Sequence, residues 1–152
     1  ASSKQACLNN PYGLSKRKAE YICKELSNRN GNKVFILRLP GIYGSGCKPN
    51  YNSVVATFCF NIANNIDIKI IDKNKIVELI YINDLCRHFI KILDLTEFSC
   101  EEENLVGHNI TVMELANLIK MFKLKIDNKN NFYIKSEFES NLFETFKSYL
   151  SL

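Results

Sequence analysis

The sequence predicts an α/β fold, and three observations carry that prediction. A helical pattern over "NNPYGLSKRKAEYICKEL" (9–26) leads into "NKVFILRLP" (32–40), a nearly unbroken apolar run closed by a proline. Such a run suits a strand covered on both faces of a parallel sheet, and a helix feeding it forms an α/β unit. Further on, short β-patterned runs again alternate with amphipathic helical ones. A length of 152 residues with 46% hydrophobic content fits one domain with a real core.

Each element follows from its own pattern. In the first helix an apolar stripe runs through Ala19, Ile22, Cys23 and Leu26, and continued backwards it reaches Ser15, Lys16 and Tyr12. Lys16 is therefore expected to face inward beside Tyr12, while Arg17, Lys18, Glu20, Lys24 and Glu25 face water. An inward ammonium requires a partner, because an unpaired buried charge is costly. After the strand come a glycine-rich loop, "GIYGSG" (41–46), and "CKPNYNS" (47–53). A helix over 52–64 then buries Val54, Val55, Phe58, Cys59 and Ile62, with Asn52 or Ser53 as its cap. Strands are expected at 67–71 and 77–82, Asp84 as the cap of a helix over 84–93, "CEEEN" (100–104) as a solvated loop and 104–107 as a short strand. Thr111 and Glu114 form a capping box for a helix from 111 to 122. A polar stretch (123–136) precedes a last amphipathic helix over 140–150, and no internal repeat is present.

Composition excludes several functions. The net charge of +4 comes from lysines interleaved with acidic residues, so there is no basic stripe for nucleic acid. No apolar run reaches the ~18 residues of a membrane span, and the first residues lack a signal-peptide pattern, so a cytoplasmic protein is expected. The six cysteines form no Cys-x-x-Cys, and neither His88 nor His108 stands at ligand spacing from one, so no metal site is expected. Cys23, Cys59 and Cys86 fall inside helical patterns and read as small buried hydrophobes kept reduced.

Two motifs invite a chemical reading. Gly41, Gly44 and Gly46 follow a strand, but their order is G-x-x-G-x-G and no helix opens directly after them. A dinucleotide fingerprint needs its glycines at the helix start, so this segment reads as a substrate loop. A single Tyr-x-x-x-Lys, Tyr12 and Lys16, is no more than chance would provide; its placement carries the weight, at the head of the helix leading to the buried strand and just after the hydroxyls of Ser2 and Ser3. The plainer reading has Lys16 snorkelling along a helix edge and Tyr12 packed as an ordinary aromatic.

In "SSKQA", "YGLSK", "RLPGIYG", "YINDL" and "NLVGHNITVMELANLI" the chain resembles the extended short-chain dehydrogenase/reductase (NAD-dependent epimerase/dehydratase) family. "CKPNYNSVVATFCFNIAN" and "NLFETFKSYL" are similar to the reductase domain of the bifunctional capsular-polysaccharide enzymes of the CapF type, on the pathway to UDP-N-acetyl-L-fucosamine. The resemblance covers most of the chain. It implies the C-terminal half of a Rossmann-like fold with interleaved substrate-binding elements: Rossmann portions at 1–40 and 82–108, substrate elements at 41–81 and 109–138, and a terminal helix and linker at 139–152. It implies an NADP(H)-dependent reductase of a 4-keto UDP-sugar yielding UDP-N-acetyl-L-talosamine for capsule or O-antigen precursors, a related epimerase or dehydratase being the alternative, and a truncated non-catalytic remnant the other. A homodimer is expected of the complete protein.

The resemblance also assigns roles. Tyr12 would be the general acid, since a phenol can give its proton to a developing alkoxide. Lys16, one turn on, would favour the phenolate and hold the nicotinamide ribose. Ser3, with Ser2 as near alternative, would stabilise the substrate carbonyl. Pro40 joins Tyr12 and Lys16 as a cofactor contact. Gly41, Lys48, Asn50, Tyr51 and Asn52 are nominated for substrate: lysine for a phosphate, amides for hydroxyls or uracil, and an aromatic face for stacking. Gly41 stands where many extended members carry asparagine, and Asn83 replaces a commoner acidic residue. The family's dinucleotide cradle lies in segments preceding the catalytic serine, so this polypeptide by itself is expected to bind NADPH weakly or not at all.

Overall fold

A computed structural model describes residues 1–94, 100–129 and 133–150. Part of the expected polar stretch (130–132) and of the terminal linker (151–152) lies outside the described residues. The elements in chain order are β1 (Ser2–Ser3), a 3-10 turn (Lys4–Cys7), α1 (Pro11–Asn30), β2 (Val34–Leu39), β3 (Gly41–Tyr43), α2 (Val54–Ala63), β4 (Ile76–Tyr81), α3 (Ile82–Leu93), β5 (Cys100–Asn104), β6 (His108–Thr111), α4 (Val112–Asp127) and α5 (Glu137–Lys147). They fall into two compact units, Ala1–Pro40 with Asp84–Gly107, and Gly41–Asn83 with His108–Leu152.

The first unit is a parallel sheet in the order β1-β2-β5. α1 starts where Asn10 accepts the Gly13 N–H at 2.7 Å, with Pro11 at the first helical position, where a missing N–H costs nothing. It stops at Gly31, whose φ of +66° is open to glycine without penalty and whose N–H closes on the Ser27 carbonyl. β2 buries Ile36, Leu37 and Leu39, as its apolar run requires. Two expectations fail in this unit. The stripe of Ala19, Ile22, Cys23 and Leu26 is exposed, and α1 instead buries Gly13, Glu20 and Ser27. The "CEEEN" run is a strand, because its backbone pairs with β2 along its whole length while its carboxylates find partners: Glu102 meets the cations of Arg38 and Lys24, and Glu103 meets the His88 ring at 2.9 Å. Pairing has overridden a poor strand propensity. Of the strand expected at 104–107 only Asn104 is one, as the last residue of β5, although the Leu105 N–H still donates to the Arg38 carbonyl.

The side of α1 facing the sheet is held by charge. Glu20, 5% exposed, accepts from Arg38 Nε at 3.0 Å, from Arg38 Nη2 at 2.6 Å and from the Ser2 hydroxyl at 2.5 Å. Arg38 also reaches Glu102, which Lys24 meets at 2.6 Å. One connected network therefore joins α1, β1, β2 and β5.

In the second unit a sheet in the order β3-β4-β6, parallel then antiparallel, packs with α2, α4 and α5 around Phe58, Cys59, Leu115, Ile119, Phe122, Leu142 and Phe146. Ser53 caps α2 through the Ala56 N–H, and the Thr111–Glu114 capping box is complete. The glycine-rich "GIYGSG" opens as strand β3 against β4, residues 67–71 form no strand, and α3 begins two residues before Asp84, which sits in its first turn paired with Arg87 rather than capping it. Residues 139–147, expected as a terminal helix and linker, belong to α5, whose Leu142, Thr145 and Phe146 are fully enclosed in this core. Tyr149, whose hydroxyl donates to the Cys47 carbonyl at 2.6 Å, is equally buried, and burial pushes its phenol up to about 12. Of the cysteines expected to be buried, Cys59 is, with its thiol pushed up by burial, whereas Cys23 on α1 and Cys86 on α3 are exposed.

The Arg38 guanidinium, outweighing burial and aided by the Ser2 hydroxyl, holds the Glu20 carboxyl below its ordinary range. A depressed folded-state value stabilises above the unfolded value near ~4.3, and that stability is lost as pH falls through the folded one. Urea titrations from neutral pH into this acid window should show the first unit losing stability, with Glu20→Gln removing this component. At neutral pH Glu20→Ala should cost about 3 kcal/mol, because it removes the forked partner of a largely buried guanidinium and leaves it Glu102 alone.

Candidate active site

In the first unit, Ser3 ends β1 and caps the following turn, its Oγ accepting the Gln5 N–H at 3.2 Å. That bond uses a lone pair and leaves the hydroxyl proton without an acceptor among the described residues. Ser2 is committed elsewhere, its hydroxyl donating to Glu20. Alternation along the strand thus gives the two serines different work. The turn runs into α1 at a tight junction: a Cβ on Gly13 would stand 2.6 Å from the Leu8 carbonyl oxygen and closer still to that of Gln5. The residue carrying the Ser3 cap is therefore seated against the residue next to Tyr12.

Tyr12 is half-exposed, and the Lys16 ammonium lies 5.8 Å from the centroid of its ring. Lys16 is partly buried and lines a small hollow of about 100 Å³ with Ser2, Ala19, Glu20 and Cys23. The inward-facing lysine of the sequence reading is thus beside its tyrosine, but on the polar side of α1 rather than along a covered apolar stripe. Phenol and ammonium together form a donor pair suited to ribose hydroxyls. Pro40, partly buried, terminates β2 at the edge of this unit.

The second unit holds an open cavity of about 790 Å³, lined by Asn50, Tyr51, Asn52 and Ser53, by Thr57 and Phe58 of α2, and by Lys69, Asp72 and Lys75 before β4. Three nominated residues line it. Asn50, with φ +54°, is fixed by two bonds, its N–H to Thr57 Oγ1 at 3.0 Å and its side-chain amide to Asn61 at 3.4 Å. Tyr51 is 74% exposed, and the Lys48 ammonium lies 5.7 Å from its ring centroid. Lys48 itself is not among the lining residues. Gly41 is a β3 residue pressed against β4, where a Cβ would approach the Glu78 carbonyl at 3.1 Å, so it serves strand packing rather than the cavity. Lys69 and Lys75 were not singled out from sequence. Lys69 is masked by the β-like pattern of 67–71, which forms no strand, and Lys75 stands just before β4 with no motif to mark it. The glycine run does not make a phosphate cradle, since β3 rather than a helix contains its first member. Among the described residues no cluster of His, Cys, Asp or Glu could hold a metal ion, and no helix is long and apolar enough to cross a membrane.

A model of the NAD dependent epimerase/dehydratase family matches residues 2–107. The chain belongs to this family. Across 98% of its length it is 38% identical to the UDP-2-acetamido-2,6-beta-L-arabino-hexul-4-ose reductase of Pseudomonas aeruginosa, of which it spans 40%. Among solved structures, the capsular polysaccharide assembling protein CapF of Staphylococcus aureus superimposes with a TM-score of 0.88 at 35% identity, over 99% of this chain and 41% of that one. UDP-glucose 4-epimerase from Thermotoga maritima shares the fold at 21% identity, with a TM-score of 0.79 over 93% of this chain and 53% of that one. The parallel sheet of the first unit, with helices, is accordingly part of the Rossmann-like architecture of this family, and the resemblance read from "YGLSK" and "CKPNYNS" holds for the family and for the similarity to CapF.

The Gly13 junction can be tested directly. Gly13→Ala should lower stability by about 2 kcal/mol through overpacking, seen as a lower urea midpoint, and should shift the Tyr12 ring resonances.

Proposed function

We propose that this chain supplies the proton-donating and sugar-nucleotide-binding parts of an NADPH-dependent reductase that converts a 4-keto UDP-sugar to its alcohol, UDP-N-acetyl-L-talosamine, for surface polysaccharide precursors. The observation that carries this reading is the 38% identity, along nearly the whole chain, to a UDP-sugar ketone reductase, with Tyr12 and Lys16 adjacent on one helix. The chain spans 40% of that relative, so the reading concerns the activity of a whole enzyme to which these residues contribute.

Bound reduced nicotinamide supplies hydride to the carbonyl carbon. Tyr12 Oη gives its proton to the carbonyl oxygen as negative charge develops there, which produces the alcohol and leaves a phenolate to be reprotonated from water. The neighbouring Lys16 ammonium stabilises that phenolate and offers hydrogen bonds to the ribose. Ser3 donates its unengaged hydroxyl to the same carbonyl oxygen, so two donors share the developing charge. In the second unit Lys69 and Lys75 offer cations to a diphosphate, the N-terminus of α2 adds favourable potential, and Tyr51 presents a face for uracil. Pro40 contributes a nonpolar cofactor contact.

The test is a hybrid in which this chain replaces the aligned portion of the Pseudomonas aeruginosa reductase, supplied with the keto sugar and NADPH or NADH. Stoichiometric oxidation of NADPH with ketone loss supports the reading, whereas interconversion of sugars without net oxidation would favour an epimerase. Tyr12→Phe should lower turnover at least a hundredfold with the fold intact. Lys75→Met should raise KM for the UDP-sugar roughly tenfold with kcat little changed, the loss of one charge-assisted bond; retained affinity would place the diphosphate elsewhere.

A further inference from the structure

The buried carboxylate of Glu20 has a chemical position that its neighbours make specific. It lies one helical turn beyond Lys16 on α1, on the same face, and both residues line the hollow that also receives Ser2. Its oxygens take the Ser2 hydroxyl at 2.5 Å and the Arg38 guanidinium at 2.6 and 3.0 Å. Ser2 is the residue before Ser3 on a strand of two residues, which is too short to fix its own register along α1 by ladder hydrogen bonds alone. Arg38 pairs with Ser2 across the sheet, so the same carboxylate grips both strands at one register position. A group that serves only to neutralise Arg38 would have no need of the serine hydroxyl, since Glu102 already meets that guanidinium from the other side.

We propose that Glu20 is a positioning residue for the reducing site: through Ser2 it fixes the strand end carrying Ser3 against the helix turn carrying Tyr12 and Lys16. This rests on the reductive reading of those three residues. Glu20 takes no part in the proton or hydride transfer; it sets the separation of the groups that do. Reacting groups displaced by even an ångström lose rate steeply, so a small slip here acts on turnover.

The decisive variant is Ser2→Ala, which cuts the link to β1 and leaves the Glu20–Arg38 ion pair in place, so folding is preserved. In the 152-residue chain, Tyr12 ring and Lys16 side-chain resonances should shift in Ser2→Ala and in Glu20→Gln. They should stay in place in Lys24→Met, which alters the network only at Glu102. In the hybrid reductase, Ser2→Ala should lower kcat about tenfold with KM for the UDP-sugar unchanged, and Ser2→Thr, which restores the hydroxyl, should recover it. Unmoved resonances, or a kcat that stays at the parent value, would overturn the positioning role, as would an equal response from Lys24→Met. If the resonances move but the parent hybrid reduces no keto sugar, the link between strand and helix stands and the reductive reading fails instead.

Discussion

A carboxylate and a guanidinium enclosed between a helix and a sheet organise the first unit. Taking both out of water is expensive, and the cost is offset only when every remaining lone pair and proton is matched. Here Glu20 takes three donors, and Arg38 spreads its own across two carboxylates. Such an arrangement tolerates one geometry. An apolar contact between α1 and the sheet would allow sliding by a fraction of a residue, whereas a forked ion pair does not. The helix that presents Tyr12 and Lys16 is thus fixed by the residue one turn further on.

The second unit is held by different physics. Its aromatic and aliphatic core, with Phe122 and Phe143 edge to face at 5.2 Å, carries no buried ion pair among the described residues. Polar groups gather instead at the cavity, where Asn50 is fixed by bonds to Thr57 and Asn61 and the lysines stand at the rim of the segment before β4. One unit is ordered by a forked ion pair and the other by apolar packing beside an open cavity.

Much of this was legible in the sequence, for identifiable reasons. β2 and α2 declare themselves because their side chains are buried on the faces that periodicity marks, and the Thr111–Glu114 box declares α4 because both of its bonds are local. What misled was tertiary. The acidic run of β5 looks like a loop until Lys24 of α1, Arg38 of β2 and His88 of α3 are placed opposite it, and no local pattern contains that information. On α1, apolar residues marked the face that stays open, while the covered face is polar because its partners are charged. Of the nominated groups, Tyr12 and Lys16 were marked by motif and do lie side by side, and Ser3 ends β1 as its order suggested. Lys69 was hidden because the run carrying it looks like a strand and is not one, Lys75 because no motif marks it, and Glu20 because a carboxylate amid lysines reads as surface.

The hydroxyl of Tyr149 bonds a carbonyl 102 residues earlier, and α5 supplies the side chains that close the core begun by α2. Between these partners the chain leaves to build β5 of the other unit and returns. Closure of so long a loop must precede the contacts that reward it, at a cost that grows only slowly with the distance bridged. On the ribosome, Phe58 and Val55 of α2 must therefore wait uncovered until α4 has been made, and the core closes only once α5 follows, a delay during which a chaperone would find its natural substrate.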